Sequence, residues 1–469
     1  MVTAPTLKRS IRFRDLVLFY IVSGLNVRWT AMAASAGPSI LIVWVAALLC
    51  FFLPLAASVS ELSSRHPDEG GLYIWTSEAF GEFSGFISAW TYWMSNLPFF
   101  PGVLYFGAAS VLFAFGPSAQ SLSKSPAYFM AFAVGWLIII TLLNIRGVDA
   151  GKWLNNISSL GSIIPLIVLI TLAAFSYAHF GSATHFTAAS LVPHLSFKNA
   201  LFWSSVFFAF GGVEAGSSMG DEIQNPRRVI PWAILLGGSV MAIGYIAGTG
   251  ALLVALPGDS VSGPDGFING IQVLGTRLSI AWLIAPLACF VALNAVGSAA
   301  AFLSSTSRLP FVAGIHNCLP PVFSKIHPRY RTPWVAIGVY GLASIVVAFL
   351  GQAGTTVRGA YEVLASMAII AYFIPYLFLF AAMIRLQSEP AGPEVRRVPG
   401  GKPVAIALGV VGILSTSMTI VLSVVPADDE PNKTLALIKI VGGTAVMVGL
   451  GLAVYLYSRW KTGRLARQN

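Results

Sequence analysis

Apolar runs of about 20 residues recur twelve times along this 469-residue chain, near 15–36, 39–62, 83–115, 126–145, 153–178, 199–222, 231–256, 279–306, 333–351, 360–384, 404–425 and 434–458. Each is long enough to cross about 30 Å of hydrocarbon as a helix. A chain in hydrocarbon must satisfy its own backbone hydrogen bonds, so spans of this length are α-helices. Only 10% of the residues are charged, against about 25% in an ordinary soluble domain. The expected fold is therefore an all-α polytopic membrane protein with twelve transmembrane helices. The first run follows the short basic stretch Lys8–Asp15 and is followed at once by a second, so it is expected to be retained rather than cleaved as a signal peptide.

Charge placement sets the orientation. Of the 28 Lys and Arg, 21 fall in loops on the N-terminal side of the membrane and 5 on the other, with Arg28 and Lys439 inside spans. The positive-inside rule then puts both termini in the cytoplasm of a multi-pass protein of the cell (inner or plasma) membrane. Charges scattered this way read as topology signals and imply no nucleic-acid partner, despite the net charge of +10. Cys50, Cys289 and Cys318 form neither a disulfide framework nor a metal spacing. The external histidines His179, His185 and His194 match no metal motif either, so no metal and no cofactor is expected.

Two spans carry polar interruptions. In the sixth, Gly211, Gly212 and Gly216 crowd around Glu214. A carboxylate at a helix centre in lipid costs roughly 2.5–3.5 kcal/mol, so it should face a cavity or a partner. Clustered glycines weaken a helix, and open backbone at this depth is tolerated only inside protein or against a cavity. The bland alternative is a small-residue packing face around one buried, protonated Glu. The first span is interrupted by Ser23-Gly24-Leu25-Asn26-Val27-Arg28-Trp29-Thr30. Arg28 lies about 18 Å from the inner face at 1.5 Å per residue, too deep to snorkel. The same ruler puts Glu214 only about 8 Å from that face, so contact between the two does not follow. Interrupted segments five spans apart are the mark of an inverted-repeat transporter with its substrate at the midplane. The third span holds Trp90, Tyr92, Trp93 and Asn96, whose amide needs a partner, and Pro98 and Pro101, which should bend it. Asn294, Ser298, Ser304, Ser305 and Thr306 in the eighth could complete a sodium site or bond back to their own helix.

Phe208-Ala-Phe-Gly-Gly-Val-Glu-Ala-Gly216, followed by Asp221-Glu-Ile-Gln-Asn-Pro-Arg-Arg-Val-Ile-Pro231, resembles the sixth span of the amino acid–polyamine–organocation (APC) transporters. The loops from Glu61 to Trp75 and from Ser307 to Pro333 also look like that family. The resemblance implies a LeuT-like fold of two inverted five-span repeats, 12–178 and 195–385. A cytoplasmic linker, 386–403, and two extra spans, 404–458, would follow; the extra spans are candidates for a homodimer interface. It also implies a substrate site of Ser23, Gly24, Arg28, Trp29, Thr30, Asn96, Phe208, Gly211 and Gly212. Arg28-Trp29-Thr30 would stand where relatives break the first span with Gly-Ser-Gly. Asn96 takes the place of a substrate-contacting Asn of the arginine–agmatine antiporters, and Phe208 that of the aromatic lid. Where some proton-coupled relatives carry a lysine in the fifth span, this chain has Gly161 or Ser162. That leaves exchange, a proton on Glu214, or sodium, ranked lower. The form of the first and sixth spans looks closest to bacterial amino acid antiporters, including glutamate–GABA exchangers.

The expected function is secondary active transport of amino acids by alternating access, as an exchanger or proton-coupled permease. The partners are then a small-molecule amino acid and membrane lipid. Polyamine or organocation transport and sodium-coupled symport are the alternatives. A channel would need a continuous polar stripe and a membrane enzyme a cluster such as His-x-x-x-His, and neither occurs in the sequence. The orientation predicts an outcome for single cysteines placed at Thr3, Asn432 and Leu465 in a background without the native cysteines. An impermeant maleimide on intact cells should label only position 432; labelling at 3 or 465 with none at 432 contradicts the twelve-span topology.

Overall fold

The computed structural model describes residues 7 and 9–466, apart from 194–196, 262–264, 317, 354–356, 391, 425–433 and 435–436. The described residues form helices and no strand. In chain order these are α1 Phe13–Gly24, α2 Arg28–Ala34, α3 Ile40–Ala47, α4 Leu53–Arg65, α5 Leu72–Phe80, α6 Glu82–Leu112, α7 Pro126–Arg146, α8 Val148–Phe180 and α9 Ala188–Leu191. They continue as α10 Phe197–Ala209, α11 Pro226–Ala255, α12 Gly266–Arg277, α13 Ile284–Thr306, α14 Arg308–Ile315, α15 Trp334–Gln352, α16 Val357–Leu386, α17 Gly401–Ser423 and α18 Gly443–Ala466. A π-helical turn, Leu48–Phe52, joins α3 to α4, and a 3₁₀ helix, Ala215–Glu222, follows α10.

Ten helical segments among the described residues are long and apolar enough to cross a membrane, which makes this an all-α polytopic membrane protein. The third and sixth expected spans are not among the ten. They correspond to α6, which carries Glu82, Ser88, Thr91, Ser95 and Asn96 through 31 residues, and to the interrupted α10–3₁₀ pair. These polar and broken segments are the most enclosed: α6 buries most of its length, whereas α7 and α17 leave wide apolar faces outward. The helix α6 runs unbroken through Pro98 and Pro101. Lys433 and His194 lie outside the described residues.

The first span breaks at 25–27, three residues earlier than the Arg28–Thr30 expected from the family pattern; those three residues form the first turn of α2. Leu25 leaves helical geometry, at φ −82° and ψ 75°. The break in the sixth span opens at 210–214, where Gly212 has φ +107°, a conformation that costs a glycine little and other residues much. A Cβ on Gly212 would come within 3.8 Å of Gly24 Cα, so the two breaks lie side by side.

Close backbone approach also fixes the far end of the sixth span. A Cβ on Gly220 would strike the carbonyl oxygens of Pro67 and Asp68, which cannot swing aside as a side chain can. Gly449, on the outer helix α18, has open space around it. Gly220→Ala should therefore cost about 1–3 kcal/mol through overpacking. Gly449→Ala should be neutral or gain up to about 1 kcal/mol of helix propensity. Thermal midpoints of the two purified variants in detergent check this: only Gly220→Ala should fall clearly below the parent.

Candidate substrate site

Opening a helix frees backbone N–H and C=O groups that hydrocarbon cannot satisfy. Here tyrosines and Glu214 take them up. The Tyr245 hydroxyl, from α11, donates to the Gly24 carbonyl and accepts from the Asn26 N–H at 3.1 Å. Trp44 stacks on Tyr245 with ring centroids 4.6 Å apart, and its indole N–H donates to Thr249 Oγ1 at 2.9 Å, which holds both rings in place. In the second break, the Gly212 N–H donates to Glu214 Oε2 at 3.0 Å and lies 3.4 Å from the Tyr376 hydroxyl.

Glu214 is 1% exposed. Its other oxygen, Oε1, accepts from Tyr92 at 2.5 Å and from Tyr372 at 2.6 Å. One carboxylate thus joins α6, α16 and the break of the sixth span. Tyr20 of α1 completes the surround, because a Cβ on Gly216 would lie 2.5 Å from its hydroxyl. Small residues do pack closely here around one buried Glu, and that Glu is also hydrogen-bonded to three groups. Gly211 is needed small, since a Cβ there would meet Tyr372 at 2.6 Å and Tyr376 at 2.8 Å.

Arg28 is 2% exposed, and its guanidinium carbon lies 4.2 Å from the Trp29 ring centroid and 5.0 Å from that of Phe99. A guanidinium over aromatic faces gains cation–π attraction in a desolvated site. Glu214 hydrogen-bonds to two tyrosines and a backbone amide. Trp29 meets Phe208 edge-on at 5.1 Å, and Phe208 packs on Tyr372 at 4.8 Å. An aromatic chain therefore runs from α2 through α10 to α16 and ends on the tyrosine that holds Glu214.

The remaining expected residues are buried nearby but bond locally. Ser23 donates to the Phe19 carbonyl at 2.7 Å and Thr30 to that of Val27 at 2.6 Å. The Asn96 amide donates to the Tyr92 carbonyl at 2.9 Å, one turn back, so the partner it needs is on its own helix. Tyr92, Tyr245, Tyr372 and Tyr376 were not expected. Only Tyr92 had been noted, as one of a run of aromatics, and no sequence spacing ties a tyrosine of the tenth span to a break in the sixth.

Two further polar groups flank the breaks. Between α8 and α13, Ser158 Oγ, both amide atoms of Asn294 and Ser298 Oγ are buried without a hydrogen-bond partner. Gly297 abuts Ser158 and Gly161 abuts Asn294, which places these atoms along one seam. Ser305 and Thr306 instead bond back to the Phe302 carbonyl. At the far end of the sixth span, Arg308 Nη2 meets both oxygens of Glu222 at 2.9 and 3.0 Å, and Arg308 Nε lies 3.8 Å from Glu69 Oε1. Glu69 also accepts from the Asp221 N–H at 3.0 Å, while burial, then the adjacent Glu222, pushes its carboxyl above the usual range. The N-terminal segment closes over this cluster: the N–H groups of Ser10 and Ile11 donate to the Glu222 carbonyl at 3.0 and 2.9 Å. Glu61 pairs with Arg65, four residues on, at 2.8 Å, is 1% exposed and also holds Gln387 and the Val398 N–H.

Two interrupted helices with their breaks in contact, inside a polytopic helical membrane protein, have the architecture of a secondary transporter. A family model described as amino acid permease matches residues 16–446, and the chain belongs to that family, within the APC superfamily. Its relatives include "Probable agmatine/putrescine antiporter AguD" of Lactococcus lactis subsp. lactis, 24% identical over 90% of this chain and 89% of the relative. A glutamate/serine transporter of Bacillus subtilis is 28% identical over 74% of this chain and 65% of its own length. A serine/threonine exchanger of the same organism is 25% identical over 80% and 81%. This chain is accordingly a transporter of the APC family with a small-molecule substrate.

The shared carboxylate predicts coupling between its partners. Hydrogen bonds to a charged group are worth about 1.5–3 kcal/mol each. Tyr92→Phe and Tyr372→Phe should each lower the thermal midpoint, and each should cost less in a Glu214→Gln background. Strict additivity in that double-mutant cycle would show that the hydroxyls do not act through Glu214.

Proposed function

We propose that this protein carries amino acids across the cell membrane by alternating access, as an exchanger or a proton-coupled permease, with both termini in the cytoplasm. The repeats are read as 12–178 and 195–385, and their first helices supply the two breaks. The observation that carries the proposal is the contact of those breaks, with Arg28 on one side and the tyrosine-held Glu214 on the other. A buried guanidinium favours a ligand with a carboxylate, which it can bind through two parallel hydrogen bonds. The substrate is then a neutral or acidic amino acid rather than a polyamine. Gly211 and Gly212, without side chains, let it approach the break closely, Asn96, Trp29 and Thr30 wall it, and Phe208 covers it.

Glu214 is assigned the coupling role. Its carboxylate ties α6 and α16 to the break, so loading it with a proton would remove the charge that strengthens both tyrosine hydrogen bonds and loosen that tie. The cluster of Arg308, Glu222 and Glu69, under the N-terminal segment, would close the cytoplasmic side and must part when that side opens.

Sodium coupling is a second reading, favoured by the unpartnered oxygens of Ser158, Asn294 and Ser298 along the α8–α13 seam. Hard cations take oxygen ligands of this kind. Replacing external sodium with choline should leave exchange unchanged under the first reading and abolish it under the second.

Two substitutions test the division of roles. Arg28→Lys keeps the charge but loses the planar fork, and should weaken binding of carboxylate ligands about tenfold. Glu214→Gln should leave binding largely intact and remove the drive of uptake by an imposed proton gradient. Ligand affinity and gradient-driven uptake in proteoliposomes would be measured for both. Normal binding by Arg28→Lys together with parental gradient-driven uptake by Glu214→Gln would make the two residues structural.

A further inference from the structure

An open groove of about 520 Å³ lies on the outer surface where α1 meets the first turns of α11. Phe13, Arg228, Trp232, Leu235, Leu236 and Ser239 line it. The α11 residues fall at the spacing of one helix face, from the first turn downward, and all are exposed. The groove is therefore graded along the span: a cation at the interface, an indole beside it, and leucines deeper in.

The charges around it are one-sided. No lining residue is acidic. Arg12 and Arg14, both exposed, flank Phe13 in the chain. Arg396 lies over the Trp232 ring at 4.9 Å. The nearby acids are already engaged, Glu394 with Arg227 and Asp15 with Lys152 at 3.5 Å. The α11 N-terminus adds the positive end of its dipole. Next to the groove the two helices are in close contact, because a Cβ on Gly237 would lie 3.0 Å from Tyr20 Cβ.

We infer that this groove binds one anionic phospholipid, its phosphate at Arg228 and the α11 N-terminus and its acyl chain along Leu235 and Leu236. Basic residues at a membrane surface attract anionic lipid, and tryptophan anchors at headgroup depth. A lipid seated there touches α11 and, through Phe13, the start of α1, and so braces the cytoplasmic end of the first span against α11. With the termini in the cytoplasm, the lipid belongs to the cytoplasmic leaflet. Binding is read without transport, so the inference stands or falls independently of the substrate assignment.

The test is native mass spectrometry of the full-length protein, stripped of lipid in neutral detergent and given equal palmitoyl-oleoyl phosphatidylglycerol and phosphatidylcholine. The parent should retain one phosphatidylglycerol in preference. Arg228→Gln should lower that preference roughly fivefold, as expected for one basic residue at the surface, and Arg228→Lys should keep most of it. Trp232→Ala should weaken retention of both lipids, and millimolar inorganic phosphate should not displace the bound one. Equal retention of the two lipids by the parent, an unchanged preference in Arg228→Gln, or displacement by phosphate would overturn the inference. Because Arg228 is exposed, loss of folding is not the expected effect of either Arg228 variant, and their thermal midpoints check it.

Discussion

Everything in this protein follows from one constraint: backbone polar groups inside hydrocarbon must be paired. Unbroken helices meet it without help. Two spans break it, and they survive because other parts of the chain supply the missing partners. Tyr245 answers the carbonyl of Gly24 and the N–H of Asn26, and Glu214 answers the N–H of Gly212. The breaks are also mutually sheltering, since Gly24 and Gly212 approach closely and leave no backbone facing lipid.

The same partners give the site its chemistry. Glu214 satisfies open backbone with one oxygen and gathers Tyr92 and Tyr372 with the other. A group that holds the break and also joins α6 to α16 can link occupancy of the site to movement of helices. Phe208 stands against Tyr372 and Trp29, so a covering ring and the carboxylate's own partner are in contact. Under the proposed function, substrate and proton would act on one connected cluster instead of on two remote sites. The Arg308–Glu222–Glu69 cluster applies the same logic at the end of the sixth span, where buried charges are paired and over-tied by backbone groups.

Much of this was legible in the sequence. Hydropathy alone gave the helical class, because span length is set by bilayer thickness. Gly211, Gly212 and Glu214 announced the second break, since glycines and a carboxylate have few other reasons to share a span. The first break was placed three residues late, because Arg28 is the conspicuous residue while the chain departs from helix at Leu25. The tyrosines stayed hidden for a different reason. A tyrosine in an apolar span reads as packing, and only the fold brings positions 92, 245, 372 and 376 to the breaks. Asn96 shows the converse: a polar side chain that stands out in the sequence bonds to its own helix one turn back. Glu61 and Arg65 stand four apart in the sequence, but nothing in that spacing shows that the segment around Val398 covers Glu61.

The most direct measurement is counterflow. Purified protein in liposomes would be loaded with an unlabelled amino acid and supplied outside with a trace of the same amino acid in labelled form, neutral and acidic amino acids being tried in turn. An amino acid carrier with a single alternating site should accumulate label transiently above equilibrium, and the same liposomes loaded with putrescine or agmatine should not. Label that never exceeds equilibrium for any amino acid, while putrescine or agmatine drives its own counterflow, would contradict the account.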